Sequence, residues 1–210
     1  DALQGGETLT MTGSGTAASA NVANGIAMSS NGNLALVNGT GDVSNYSLNS
    51  TVINITQRIL NSSGSKTYDA NTNALAGAIT LSNLVSGETL NHSGTASVSS
   101  ANAGSYTISN LSGISIADNA GTASNYTLTG GTHNFTVNQR PLVATLARQY
   151  DGTTTSAGST LSSFDALQGG ETLTMTGSGT AASANVANGI AMSSNGNLAL
   201  VNGTGDVSNY

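Results

Sequence analysis

Apolar residues along this chain alternate with small polar ones. Thr8-Leu9-Thr10-Met11-Thr12 shows the pattern most clearly, and Tyr106-Thr107-Ile108, Ile114-Ser115-Ile116, Tyr126-Thr127-Leu128 and Phe135-Thr136-Val137 repeat it. A period of two places every second side chain on one face, so these segments predict half-buried strands. Threonine suits the outward face because its branched Cβ packs on the pleat. Asn-Gly pairs at 24–25, 31–32 and 38–39 predict tight hairpin turns, since such pairs accept positive φ. No segment sustains a helical period with caps. The pattern predicts an all-β chain with strands of about 4–7 residues and turn signals about every 8–12, as in a sandwich.

Residues 1–46 recur without a substitution at 165–210, a spacing of 164. Inside that period lies a weaker one: Gln57-Arg58 and Gln139-Arg140 are 82 residues apart, as are Tyr68-Asp69 and Tyr150-Asp151. Gly87-Glu88-Thr89-Leu90 matches Gly170-Glu171-Thr172-Leu173, and Asn125-Tyr126 matches Asn45-Tyr46 and Asn209-Tyr210. Two diverged repeats therefore alternate. On this phase repeat A occupies 1–56 without its N-terminal part, repeat B occupies 57–138 complete, and a second A occupies 139–210 without its C-terminal part. The fold expected is a row of immunoglobulin-like β-sandwiches, each about 82 residues, arranged as an elongated rod. A β-grasp-like repeat with one short helix near 70–85 is the alternative. A β-solenoid comes third, because its coils would recur about every 20–30 residues and no such period is present.

No Gly/Ser linker separates the repeats. The stretches at 54–60 and 134–142 read as strand up to and past the Gln-Arg pair, which predicts a strand running from one repeat into the next. Pro141 is then expected at a strand start or along an edge, where a missing N–H is tolerated.

Ser, Thr, Asn and Gly supply 110 of the 210 residues, against 7% charged and 4% aromatic, with neither Cys nor Trp. A core this thin leaves an isolated repeat marginal, so contacts between neighbouring repeats are expected to supply part of the stability. The net charge of −6 disfavours nucleic acid and anionic membrane as partners, since both call for basic patches. No apolar run approaches the roughly 20 residues of a membrane helix. The lack of cysteine fits a secreted fibre.

Tyr150-Asp151-Gly152-Thr153-Thr154, with Arg148 before it, Ser65-Lys66-Thr67-Tyr68-Asp69, and the stretch NYTLTGGTHNFTVNQR at 125–140 together resemble the YDG-type repeat domain of very large bacterial surface proteins. Repeats of that kind occur in haemagglutinin-like exoproteins and adhesins. The resemblance implies a stalk or matrix-adhesin module and supplies no catalytic residues. Repeat B departs from the motif with Ala70 where the second A repeat has Gly152. The residues have a physical reading of their own. The rings of Tyr68 and Tyr150 pack at a core edge with their hydroxyls in water. The carboxylates of Asp69 and Asp151 cap the turn that follows. Ala70 implies that positive φ is not required at the next position.

Candidate chemistry is sparse. His92 aligns with Met175 and His133 with Thr51, so neither is a base shared by the array. Lys66 aligns with Arg148 and is expected to pair with a nearby aspartate. Calcium at a repeat junction is conceivable only with backbone carbonyls, because Asp42 and Asp118 each stand alone in their loops. No other cofactor or metal is expected, and no enzyme. The expected role is a structural stalk or spacer in a giant extracellular bacterial adhesin or biofilm-matrix fibre, its partners being neighbouring repeats, other copies in a fibre, or matrix polysaccharide. Multivalent weak carbohydrate binding and self-association into a filament are the alternatives.

Overall fold

The computed structural model describes residues 3–210, and the described chain is all-β. Its contacts gather into two compact units. The first comprises Asp1–Leu60, Asn83–Asn91 and Ala117–Gly130, and the second Asn61–Ser82, His92–Ile116 and Gly131–Tyr210.

The second unit holds the largest sheet. Its strand order is Ile114–Ala117, Asn91–Val98, Gly104–Asn110, His133–Asn138, Asn61–Thr67, Ile79–Ser82. Asn73–Leu75 pairs with Asn91–Val98 and is joined to Ile79–Ser82 by the single 3-10 turn Ala76–Ala78, so the sheet curls almost into a barrel. His92 holds that turn through Nε2, which lies 3.1 Å from the Ala76 carbonyl and 2.9 Å from that of Ile79. The 3-10 turn is the only helical element near 70–85, where the β-grasp alternative required a helix.

His133–Asn138 organises the core of this unit. The chain reads His-Asn-Phe-Thr-Val-Asn there, and His133, Phe135 and Val137 point inward. The strand runs antiparallel to Gly104–Asn110, pairing Tyr106 with Phe135, and parallel to Asn61–Thr67, pairing Phe135 with Gly64. With ladders on both edges, Phe135 and Val137 fall to 1% exposure each. Burying two such side chains is worth about 1.5–3 kcal/mol apiece. His133 is buried on the same face with Nδ1 2.9 Å from the Ser62 hydroxyl.

The second A repeat follows the same plan. Leu161–Phe164 pairs with Ala144–Leu146, Thr155–Ala157 with Ser178–Ala181, and Leu173–Thr176 with Ala199–Asn202. In the first compact unit Leu9–Thr12 pairs with Ala35–Asn38. A second sheet there has the order Thr16–Ala17, Ala23–Ser30, Val52–Ile55.

Three expectations from sequence need correction. None of the Asn-Gly pairs closes a hairpin. Gly25 lies inside Ala23–Ser30 at φ +66, where the register with Val52–Ile55 shifts; Asn31-Gly32 passes the chain to a different sheet; Asn38 ends a strand followed by a 3-10 turn. The hairpins close instead over residues 18–22 and 99–103, each carrying Ser-Ala-Asn. Nor does one strand run through either Gln-Arg pair: Val52–Ile55 ends before Gln57, with Arg58–Ile59 and Asn61–Thr67 as separate strands. His133–Asn138 ends before Gln139, and the next strand starts at Ala144, because the backbone N–H of Arg140 is drawn to the Asn209 carbonyl (2.8 Å). Pro141 accordingly sits between strands rather than at a strand start.

Candidate functional site at the repeat junctions

Every repeat carries one tyrosine–glutamate pair. The Tyr46 hydroxyl donates to Glu7 at 2.6 Å, Tyr126 donates to Glu88, and Tyr210 donates to Glu171 at 2.5 Å. Each phenol oxygen also accepts a backbone N–H, from Gln4, Val85 and Gln168 at 3.2, 3.2 and 3.0 Å. A glycine makes room for each carboxylate: a Cβ on Gly121 would stand 2.6 Å from the Glu88 carboxylate, one on Gly41 2.9 Å from that of Glu7, and one on Gly205 3.0 Å from that of Glu171. The effect on the phenols is uniform in sign. Accepting carboxylates hold Tyr46 and Tyr126 above the ordinary tyrosine range, and burial first, then Glu171, does the same for Tyr210.

The turn just before each of these tyrosines is a 3-10 turn. Asp42 and Asp206 cap two of them by accepting the N–H of Ser44 and Ser208, at 2.9 Å in both, which holds both carboxyls below their usual range. The glutamine that opens a repeat reaches back to its own turn. Gln57 donates to the carbonyls of Ser124 and Tyr126 at 3.1 and 3.0 Å, and Gln139 to that of Ser208 at 3.0 Å.

From this braced turn the asparagine reaches into the preceding repeat. Within the first compact unit Asn125 accepts the Val22 N–H at 2.9 Å, and its amide donates to Asn21 at 2.9 Å. Within the second, Asn209 accepts the Ala103 N–H at 2.7 Å and donates to Asn102 at 3.2 Å. Both receivers are the Ser-Ala-Asn hairpin loop. The same bridge is therefore built twice, from matching positions of different sequences.

The tyrosine of the Tyr-Asp motif completes the junction between repeat B and the second A repeat. Tyr68 is 2% exposed, and its hydroxyl is not in water: it donates to Glu171 at 2.5 Å. Glu171 thus accepts two phenols, Tyr68 on Oε1 and Tyr210 on Oε2. The two rings meet edge to face at 5.3 Å and 79°. Arg140 donates through Nε to the Tyr68 carbonyl at 2.7 Å. Burial, with Glu171 next, pushes the Tyr68 phenol well up.

The other residues singled out from sequence are placed as follows. Tyr150 is 65% exposed. Asp69 accepts from Lys66 at 2.7 Å and from the Asn71 N–H at 3.2 Å; burial opposes its ionisation, and these donors still hold it below the usual carboxylate range. Asp151 accepts the N–H and hydroxyl of Thr153, both at 2.9 Å, and a guanidinium hydrogen bond from Arg148, which together lower its pKa. Gly152 has φ +75, and so, contrary to the expectation, does Ala70 stay left-handed, at φ +59. The turn that follows the aspartate fixes that conformation, whichever residue occupies it. Among the described residues no three of His, Asp and Glu gather as metal ligands would.

Sequence reasoning used Glu88, Glu171, Asn125 and Asn209 only as register marks. What it missed is that they make the junction. The signal was present in their recurrence beside the Ser-Ala-Asn loop, at matching places in each repeat.

A family model for the YDG domain matches residues 54–134 and again 136–210. The chain belongs to the YDG domain family. No match was found among curated proteins or among solved structures. The two matched YDG segments meet next to Gln139-Arg140, at the junction whose bonds are described above.

Proposed function

We propose that these YDG repeats are structural, forming a stalk or spacer within a very large extracellular bacterial adhesin or biofilm-matrix fibre. The observation that carries the reading is the asparagine bridge, made with the same atoms at two successive junctions. A spacer has to transmit position from one repeat to the next. Direct bonds from a braced turn to a neighbouring hairpin loop do that better than a flexible linker. Each neutral bridge bond contributes about 0.5–1.5 kcal/mol, and the phenol–carboxylate bonds about 1.5–3. Summed over a long array, such terms stabilise repeats whose own cores are thin.

The role is mechanical and involves no turnover. Ser, Thr and Asn cover the surface, keeping a weakly charged chain soluble outside the cell. No helix of the described residues is long and apolar enough to cross a membrane. Small-angle scattering on arrays of increasing repeat number tests the proposal. The maximum dimension is expected to rise in proportion to the number of repeats; a length that grows only as a flexible coil's does would overturn the spacer role.

A further inference from the structure

Of the six tyrosines, Tyr68 and Tyr210 are the two whose rings touch. Both phenols donate to one carboxylate, Tyr68 to Oε1 of Glu171 and Tyr210 to Oε2, each at 2.5 Å. Sharing a glutamate gathers the hydroxyl ends of the two rings, which stand edge to face with centroids 5.3 Å apart. The other four tyrosines lack this arrangement. Tyr46 and Tyr126 each donate to a glutamate of their own, Tyr106 donates to the Asn102 carbonyl at 2.8 Å, and Tyr150 is exposed.

The pose of Tyr210 is set by its own repeat. Tyr126, well inside the chain, makes the same two bonds, to Glu88 and from the Val85 N–H at 3.2 Å. Tyr210 makes them to Glu171 and from the Gln168 N–H at 3.0 Å. What the junction adds is the second ring.

We infer that Tyr68 and Tyr210 form a site of oxidative cross-linking, where a one-electron oxidant joins the two phenols into a bityrosine that fastens repeat B covalently to the second A repeat. Burial sets the order of events. Tyr68 is 2% exposed and Tyr210 only partly buried, so the oxidant takes its first electron from Tyr210. The phenol proton of Tyr210 passes to Oε2 of Glu171 in the same step. The radical then moves across the ring contact. Tyr68 gives an electron to Tyr210 and its own proton to Oε1, while Glu171 returns a proton to Tyr210. Glu171 next releases its proton to water, and a second equivalent of oxidant takes an electron from Tyr210 again, with the same proton route. The two radicals form one carbon–carbon bond between ring carbons adjacent to the hydroxyls. The hydrogens on those carbons move to the oxygens and restore both phenols. The net change is a loss of two electrons and two protons, and each equivalent of oxidant is reduced by one electron.

The cross-link is independent of the spacer role, since scattering tests the role and peptide mapping tests the bond. The full chain, dilute enough to disfavour contact between copies, is oxidised with photo-excited ruthenium tris-bipyridyl and persulfate, an outer-sphere one-electron oxidant. The expected product is a monomer lighter by two hydrogen atoms that shows bityrosine fluorescence. Proteolysis and mass spectrometry are expected to place the bond between the peptides carrying Tyr68 and Tyr210. Rings already held together gain from proximity, so the same bond is expected to form about tenfold less in the chain unfolded in urea. Tyr150→Phe removes the exposed competitor without touching the junction and is expected to leave the yield unchanged. No coupling in the folded chain, coupling only between chains, a bond joining other tyrosines, an equal yield in urea, or a yield that falls with Tyr150→Phe would each overturn the site.

Discussion

Asn45 and Asn209 stand at the same place in two stretches of identical sequence, yet Asn45 is exposed while Asn209 is 1% exposed. Around them the local geometry hardly changes. The aspartate cap measures 2.9 Å in both copies, and the tyrosine–glutamate bond 2.6 and 2.5 Å. What changes is the neighbour. Asn209 meets the hairpin loop of repeat B, and Glu171 gains a second phenol from Tyr68. Leu173 is buried where Leu9 is only partly so, and Ala181 where Ala17 is partly so. The turn is thus built by its own sequence in advance of docking. Docking adds burial, and with it most of the energetic weight of the same side chains.

The comparison breaks most easily at the glutamates. Glu171→Ala leaves the buried Tyr68 and the partly buried Tyr210 without their acceptor and should cost about 2–4 kcal/mol, whereas Glu7→Ala, which serves Tyr46 alone, should cost clearly less. Denaturant unfolding of both variants, with local exchange rates to locate the loss, measures the gap. Equal losses would mean that docking adds nothing to this pair.

Alkaline titration sharpens it. Tyr68 and Tyr210 have pKa values raised in the folded chain, so the neutral phenols contribute stability that is fully present below the ordinary value of 10.0 and lost as pH rises through the folded values. Melting temperature should therefore be insensitive to these groups near neutrality and fall beyond about pH 10. Tyr68→Phe should lower stability at neutral pH by about 1.5–3 kcal/mol and make the alkaline fall shallower. Tyr150→Phe, at the exposed matching position, should leave stability at neutral pH unchanged.

The smallest effect concerns the turn after the motif aspartate. Ala70 pays roughly 1 kcal/mol for its left-handed backbone, and Ala70→Gly removes that strain while adding unfolded-state freedom. A net change within about 0.5 kcal/mol is expected by thermal unfolding. A clear destabilisation would show that the methyl group packs usefully.

Much of the fold was legible because it rests on period and turn chemistry. Phe135-Thr136-Val137 alternates in sequence and forms the best-buried strand. Asn24-Gly25 misled, since a residue pair that tolerates positive φ serves a bulge as readily as a hairpin turn, and only the pairing partner decides between them. The Gln-Arg stretch misled for a related reason. Its hydrogen bonds go to a turn some 70 residues away in sequence, which no local pattern reports. Tyr68 stands out in the sequence as part of a repeated motif, but its partner Glu171 lies 103 residues on.

By itself the sequence determined the β class, the repeat and the self-contained turn that pairs Asp206 with Ser208 and Tyr210 with Glu171, because these depend on alternation and on short-range or repeat-internal bonds. The tertiary structure alone decided which copy of each side chain is buried and how far a strand extends. ANGIAMSS is one full strand beside Val52–Ile55 and mostly not strand at 187–194, since a β-strand owes its length to the neighbour that satisfies its backbone groups.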